Sequence, residues 1–263
     1  MDRQKIRRLL SAVETKHIAP YAANASFFIA LAVFPTLSLL VSILRYTGIS
    51  VDSLTALLEG VIPGALLPFA KKLILQTYQS TTGTLLSVSA VVALWSASRG
   101  VHGLRTGLNA IYGAQENRSW LRKRIVSVAY TFVFLLVLLL TLALHVFGST
   151  VVGFLPDVWG NISRLRFFLL LLIQSAVFTA MYMALPNNRN RFIDSLPGAI
   201  LSSTGWLIFS QLYSVYVEKF SSYANIYGSV YALALSMLWL YFCLSILFYG
   251  GALNVYLQKE QGA

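Results

Sequence analysis

From Ile125 to Phe147 the chain carries no Lys, Arg, Asp or Glu, and its centre, FVFLLVLLLTLALHVF (Phe132 to Phe147), is apolar almost throughout. A helix that crosses the roughly 30 Å hydrocarbon core of a bilayer needs about 20 such residues. Five further runs have the same character: Asn24 to Leu44, Thr84 to Ser98, Phe167 to Leu185, Leu196 to Val217, and a long one, Phe220 to Gln258, whose helical part is expected at Gly228 to Leu257. The second is short and ends at Arg99. Within lipid every backbone polar group must be satisfied internally, so a spanning segment is a helix or a strand of a closed barrel. Barrel strands alternate apolar and polar residues, and these runs do not. The expectation is an all-α, polytopic membrane helical bundle with six transmembrane helices.

Composition agrees. Hydrophobic residues make up 57% of the 263, charged residues 11%, and mean hydropathy is +0.70. A soluble domain carries about 25% charged residues, so a water-facing globule is excluded, and disorder is excluded by the same apolar excess. The net charge of +11 has two readings, a nucleic-acid surface or basic loops beside membrane spans, and position separates them. With six spans, one side holds Arg3, Lys5, Arg7, Arg8, Lys16, Arg99, Arg105, Arg118, Arg122, Lys123, Arg124, Arg189, Arg191 and Lys259, fourteen in all. The other side holds Arg45, Lys71, Lys72, Arg164, Arg166 and Lys219, which is six. Lys and Arg collect on the cytoplasmic side. Both termini are therefore expected in the cytoplasm, with residues 1–23 as an N-terminal segment, 24–258 as the transmembrane domain and 259–263 as a tail. Nucleic acid is not an expected partner. The charged stretch before the first span does not read as a cleavable signal peptide, and the lone Cys243 makes no internal disulfide.

Between spans one and two, Val51 to Ser80 is partly apolar. From Pro68 onward Phe69, Ala70, Leu73, Ile74 and Thr77 share one helical face, and Lys71, Lys72, Gln76 and Gln79 fall mostly on the other. That pattern predicts an amphipathic interfacial helix, either a plain connector or a lid. After span two, Val101, Leu104, Leu108 and Ile111 recur at helical spacing while His102, Arg105, Thr106 and Asn109 take other faces. The second helix is therefore expected to continue beyond the membrane.

The chemistry the chain lacks is informative. His17, His102 and His145 stand at no metal-ligand spacing, and neither HExxH, a zinc cysteine pair, a P-loop nor a GxSxG elbow occurs. None of the nine acidic residues lies inside an expected span, which weakens a carboxylate proton relay. No enzyme activity, metal or cofactor is expected. The polar features that remain are few. Ser98, Arg99, Arg105 and Asn109 sit at the inner end of span two, where an arginine either snorkels to headgroups or faces the bundle to bind an anion or lipid phosphate. The junction before span six, with Tyr223, Asn225 and Tyr227, is either an aromatic belt or a cavity mouth. Pro35 should bend span one. Ala22, Ser26 and Ala30, and Gly228, Ala232 and Ser236, form small-residue faces suited to close helix packing or a homo-oligomer.

Taken in order, AANASFFIALAVFPTLSLL, LWSASRGVHGLRTGLNAIYG, the basic stretch from Arg118, LPNNRNRFIDSLPGAI, YVEKFSSYANIYGSV, LWLYF and GALN resemble the YihY/BrkB family of bacterial inner-membrane proteins. The resemblance runs from about Tyr21 to Asn254. It implies six helices in the bacterial cytoplasmic membrane, with Phe28, Pro35, Trp95, Ser96, Ser98, Arg99, Leu108, Asn109, Pro197, Gly198, Tyr223, Tyr227, Gly228, Trp239 and Asn254 as matching positions. Some members carry a ribonuclease BN label, which the missing metal cluster does not favour. Others are linked to serum resistance or proposed as transporters, including of envelope lipids. Many have an acidic residue where Ala252 stands here. The leading expectation is a transporter or translocase of a lipid or other amphiphile, with membrane lipids as partners and Asn254 among the headgroup-facing residues. The alternative is a non-transporting scaffold that partners an envelope complex.

Overall fold

The computed structural model describes residues 18–45, 51–58, 62, 64–80, 83–115, 162–188, 190–219 and 224–261. All regular elements among the described residues are helical. They are α1 (Ile18–Arg45), α2 (Val51–Leu58), a 3-10 turn (Gly64–Leu66), α3 (Leu67–Ser80), α4 (Gly83–Tyr112), α5 (Ile162–Ala184), α6 (Phe192–Lys219) and α7 (Ala224–Gln261). The third expected span, Ile125 to Phe147 with His145, lies outside the described residues. Among the described residues two helices are long and apolar enough to cross a membrane, over Phe192–Val217 and Val230–Glu260. The apolar stretches described for α1 and α5, Ile18–Ala32 and Leu171–Ala184, are shorter.

Helices outrun the apolar runs that announce them, because hydropathy marks solvent and not backbone geometry. α1 starts six residues before Asn24 and passes unbroken through Pro35. α4 runs on past Arg99 as the spacing of Val101, Leu104, Leu108 and Ile111 predicts, and the short apolar run is the first half of a 30-residue helix, about 45 Å long. The stop comes at Gly113, whose φ of 67° suits a residue without a side chain. The amide of Ala114 then donates to the Asn109 carbonyl at 2.9 Å, the closing bond of a glycine-terminated helix.

Side-chain register fixes the directions. α1 lies antiparallel to α4: Tyr21 meets Gly107, Ala25 meets Gly103 and Ile29 meets Gly100. A Cβ at Gly103 would stand 3.1 Å from the Ala25 Cα, so glycines at 100, 103 and 107 let the two backbones approach, as small-residue seams do in membranes. α6 lies antiparallel to α7, with Ser202 bonded to Ile246, Ser210 to Trp239 and Tyr213 to Leu235. α4 and α5 both run parallel to α7, since Gly107 meets Phe248 and Tyr182 meets Leu247. The start of α1, the ends of α4, α5 and α7, and the start of α6 thus share one end of the bundle. That end holds the main core: Ile18, Ala22, Leu104, Leu108, Phe178, Leu244, Leu247 and Phe248 are among its buried residues.

The far half has its own core, Tyr213, Val217, Trp239 and Cys243, joined by Trp206. The Trp206 and Trp239 rings meet edge to face at 5.6 Å. Ile62 packs on this cluster, so the segment between α1 and α4 covers the far end of α6. α3 is amphipathic as its sequence predicts. Ala70 and Ile74 are buried, while Lys71, Lys72 and Gln76 face out, and Lys71 bridges to Asp52 of α2 at 2.8 Å.

Candidate functional site

The polar residues of the shared end form a cluster built on a proline. Pro197 lies in the second turn of α6 and brings no N–H to the helix ladder. Gly198 follows, and a Cβ there would run into the Gly250 carbonyl, so α7 crosses α6 backbone to backbone. Asn254, one turn further along α7 and completely buried, docks its amide into this opened turn. Its Oδ1 accepts the Gly198 N–H at 2.7 Å, and its Nδ2 donates to the Ser195 carbonyl at 3.1 Å and the Tyr112 hydroxyl at 3.3 Å. These bonds tie α7 to the turn of α6 that carries the proline.

Tyr182 of α5, also wholly buried, completes the crossing. Its hydroxyl donates to the Leu247 carbonyl at 2.6 Å and accepts from Ser202 Oγ at 2.8 Å, while the Gly251 amide faces the same oxygen. The loop after α5 caps two helix ends with its asparagines. Asn187 N donates to Asn109 Oδ1 at 2.7 Å and Asn187 Nδ2 to the Gln115 carbonyl at 2.8 Å, at the end of α4. Asn190 Nδ2 donates to the Tyr182 carbonyl at 2.8 Å, at the end of α5.

The two arginines of α4 part company. Arg105 is only 1% exposed, on the face it shares with Ser98, Asn109 and Tyr112. The Ser98 hydroxyl, buried on that face, finds no partner among the described residues, and neither do those of Ser96, Ser195 and Ser203. Arg99 points outward. Its guanidinium stands 5.6 Å from the Phe28 ring centre and 5.5 Å from that of Trp95, within the range of a cation–π contact. The two rings meet edge to face.

Of the other residues read from the sequence, Tyr223 lies outside the described residues. Asn225, Tyr227 and Gly228 fall on the first turns of α7, described for their backbone only. They stand at the opposite end of α7 from Asn254, about 40 Å away along the helix, so the expected polar junction and the Asn254 cluster are separate places. Ser26 is buried and bonds back to the Ala23 carbonyl at 3.0 Å. Ala232 and Ser236 are half-buried, with Ser236 bonded to the Ala232 carbonyl at 2.7 Å, and Pro35 is half-buried on α1. Sequence reading passed over Tyr182 and Ser202. Their signal was available in the Gly250–Gly251 pair four and three residues before Asn254, which marks a close crossing but does not say by what. Among the described residues no group of three or more His, Cys, Asp or Glu comes together as a metal site would need.

No solved structure matches the chain. The ribonuclease-like protein YfkH of Bacillus subtilis (strain 168) is 30% identical over 250 residues, covering 91% of this chain and 90% of that protein. A UPF0761 membrane protein of Vibrio vulnificus (strain YJ016) is 20% identical over 272 residues, covering 97% and 83%. The family described as Virulence factor BrkB matches residues 9–263. With that match over nearly its whole length, the chain belongs to the BrkB family of membrane proteins.

Proposed function

We propose that the protein is a six-span protein of the bacterial inner membrane that translocates a lipid or other amphiphile. The observation that carries this reading is Arg105: a charged side chain fully enclosed at one end of the bundle, on one face with Ser98, Asn109 and Tyr112. Ionisable groups within membrane helices are costly, and they mark the paths of polar cargo. Six spans draw support from direction. α4 and α5 finish at the same end, so the chain between Tyr112 and Ile162 has to return to the far end, and Ile125 to Phe147 is the uncharged stretch within it. The basic residues Arg191 and Lys259 stand at the shared end, and Lys71, Lys72 and Lys219 at the other, which fits a cytoplasmic shared end.

Purified protein in vesicles carrying a fluorescent phospholipid tests the function. Transbilayer exchange faster than in protein-free vesicles is the expected result, and rates equal to those vesicles sink the proposal. A reporter after Ala263 is expected to read cytoplasmic and one near Val51 external, and the reverse would overturn the orientation. The scaffold reading has one observation in its favour. Asn254, Tyr182 and the Gly198–Gly250 contact bind α5, α6 and α7 into a single unit, as a docking platform requires. Co-purification of a stoichiometric envelope partner, with no lipid movement, would select it.

A further inference from the structure

Arg99 lies far from the end of the bundle on the face where it is exposed. Ser195 and Tyr112 both bond Asn254, so the start of α6 and the end of α4 stand at one level. At that level α6 still turns Phe192 and Ile193 outward, the latter 77% exposed. A large apolar surface of this kind belongs in lipid. Arg99 stands thirteen residues before Tyr112 on α4, about 20 Å further along the bundle. Beyond it Val91, Val92 and Trp95 are exposed, and between it and the shared end His102 and Thr106 are exposed. Asn24 of α1, beside Gly103, is exposed as well. The α1–α4 side therefore turns polar about 20 Å before the α6 side does. A flat bilayer that covers Ile193 would place Arg99 within hydrocarbon, where a bare guanidinium draws in water and headgroups and thins the membrane around it.

What would meet the charge follows from geometry. Phe28 and Trp95 lie against the guanidinium, and among the described residues it has no hydrogen-bond or ion-pair partner. Its N–H donors are left for an acceptor from outside the bundle, and a planar fork of donors fits phosphate oxygens two at a time. We propose that Arg99 holds the phosphate of a membrane phospholipid on the outer face of the α1–α4 pair, drawn inward along the stripe marked by Thr106 and His102. The site deepens the translocase reading by naming phospholipid as cargo and the α1–α4 face as its route of entry. It is also a binding claim that stands apart from transport.

The test counts phospholipids that remain on the purified protein by native mass spectrometry, after reconstitution in phosphatidylglycerol or phosphatidylcholine nanodiscs and gentle detergent release. Wild-type protein is expected to retain phosphatidylglycerol, and Arg99→Gln to lose it about tenfold. Arg99→Lys, which keeps the charge without the fork, should fall between them. Arg191→Gln, exposed at the bundle end, should match wild type. Equal retention by wild type and Arg99→Gln overturns the proposal. So does displacement of the bound species by inorganic phosphate alone, which would make the site one for a free anion. Within the described fold Arg99 makes only its two exposed ring contacts, which are weak at an exposed site, so the variants are expected to stay folded with only slightly lower melting temperatures. Should Arg99→Gln unfold, Trp95→Leu, which removes one ring from beside the guanidinium, must lower retention or the proposal fails. Loss of retention in Arg99→Gln with no lipid exchange by wild type would leave this site standing and sink the translocase reading.

Discussion

Replacing Asn254 with alanine removes three hydrogen bonds at once, and the structure says which losses matter. The Gly198 N–H and the Ser195 carbonyl are backbone groups of a helix, fixed in place, and Asn254 adds an interhelical bond to each. The Tyr112 hydroxyl is on a half-buried ring and holds the longest of the three bonds, 3.3 Å against 2.7 and 3.1 Å. A side-chain hydrogen bond between membrane helices contributes about 0.6 kcal/mol on average and about 1.7 at most. Three interhelical bonds lost at about that average give an expected loss of about 2 kcal/mol. Reversible unfolding in mixed micelles, titrated with a denaturing detergent, reads this directly. Tyr112→Phe in the same assay should cost less than about 1 kcal/mol, because it removes only the longest bond. A loss below about 0.5 kcal/mol for Asn254→Ala, or an effect of Tyr112→Phe as large as that of Asn254→Ala, would refute the claim that Asn254 secures the proline-opened turn.

Adjacent glycines supply an internal comparison. Gly250→Ala pushes a methyl group into the Gly198 carbonyl and to 2.7 Å from the Tyr182 hydroxyl, so it should separate α6 from α7 and cost more than about 2 kcal/mol. Gly251→Ala meets the flexible tip of Leu108 at 3.2 Å and the Tyr182 and Tyr112 rings at ordinary contact distances of 3.5 and 3.6 Å, and helix propensity repays about 1 kcal/mol, so its stability should stay within about 1 kcal/mol of wild type. The same unfolding titration decides, and equal effects would contradict the crossing geometry. Cys243 is completely buried against the Trp239 cluster. A maleimide should label it slowly in the folded protein and quickly after denaturation, as followed by mass, and fast labelling of the folded form would contradict the far core.

Much of this fold was written in the sequence in a form that simple rules can read. The apolar runs located α1, α5, α6 and α7 to within a turn or two, and the alternation of Lys71 and Lys72 with Ala70 and Ile74 gave the faces of α3. The helical spacing of Val101, Leu104, Leu108 and Ile111 showed that the second helix runs on past Arg99, but not where it stops, because the stop is a matter of backbone geometry at Gly113 that hydropathy does not register. The candidate site followed the same division. Arg99, Arg105, Asn109 and Asn254 could be singled out because charge and amide groups are rare in such a chain. Which arginine faces inward could not, because that depends on the angle at which α1 packs. Glycines at 100, 103 and 107 set that angle, and with it they turn Arg105 into the bundle and Arg99 away from it.

The meeting of Tyr182 and Ser202 with α7 has a consequence for how this family can vary. Both hydroxyls address main-chain carbonyls, those of Leu247 and Ile246, and the space they occupy exists because Gly250 has no side chain. α7 therefore takes part through atoms that every amino acid carries. The carbonyls at 246 and 247 survive any exchange of side chain, so the bonds from 182 and 202 put no constraint of their own on which apolar residue stands there, whereas 182, 202 and 250 are fixed by the crossing itself. A change at Tyr182 would have no compensating change to find on α7. Contacts of this kind leave no paired substitutions behind, so a search for co-varying positions would pass over the tightest joint in the molecule.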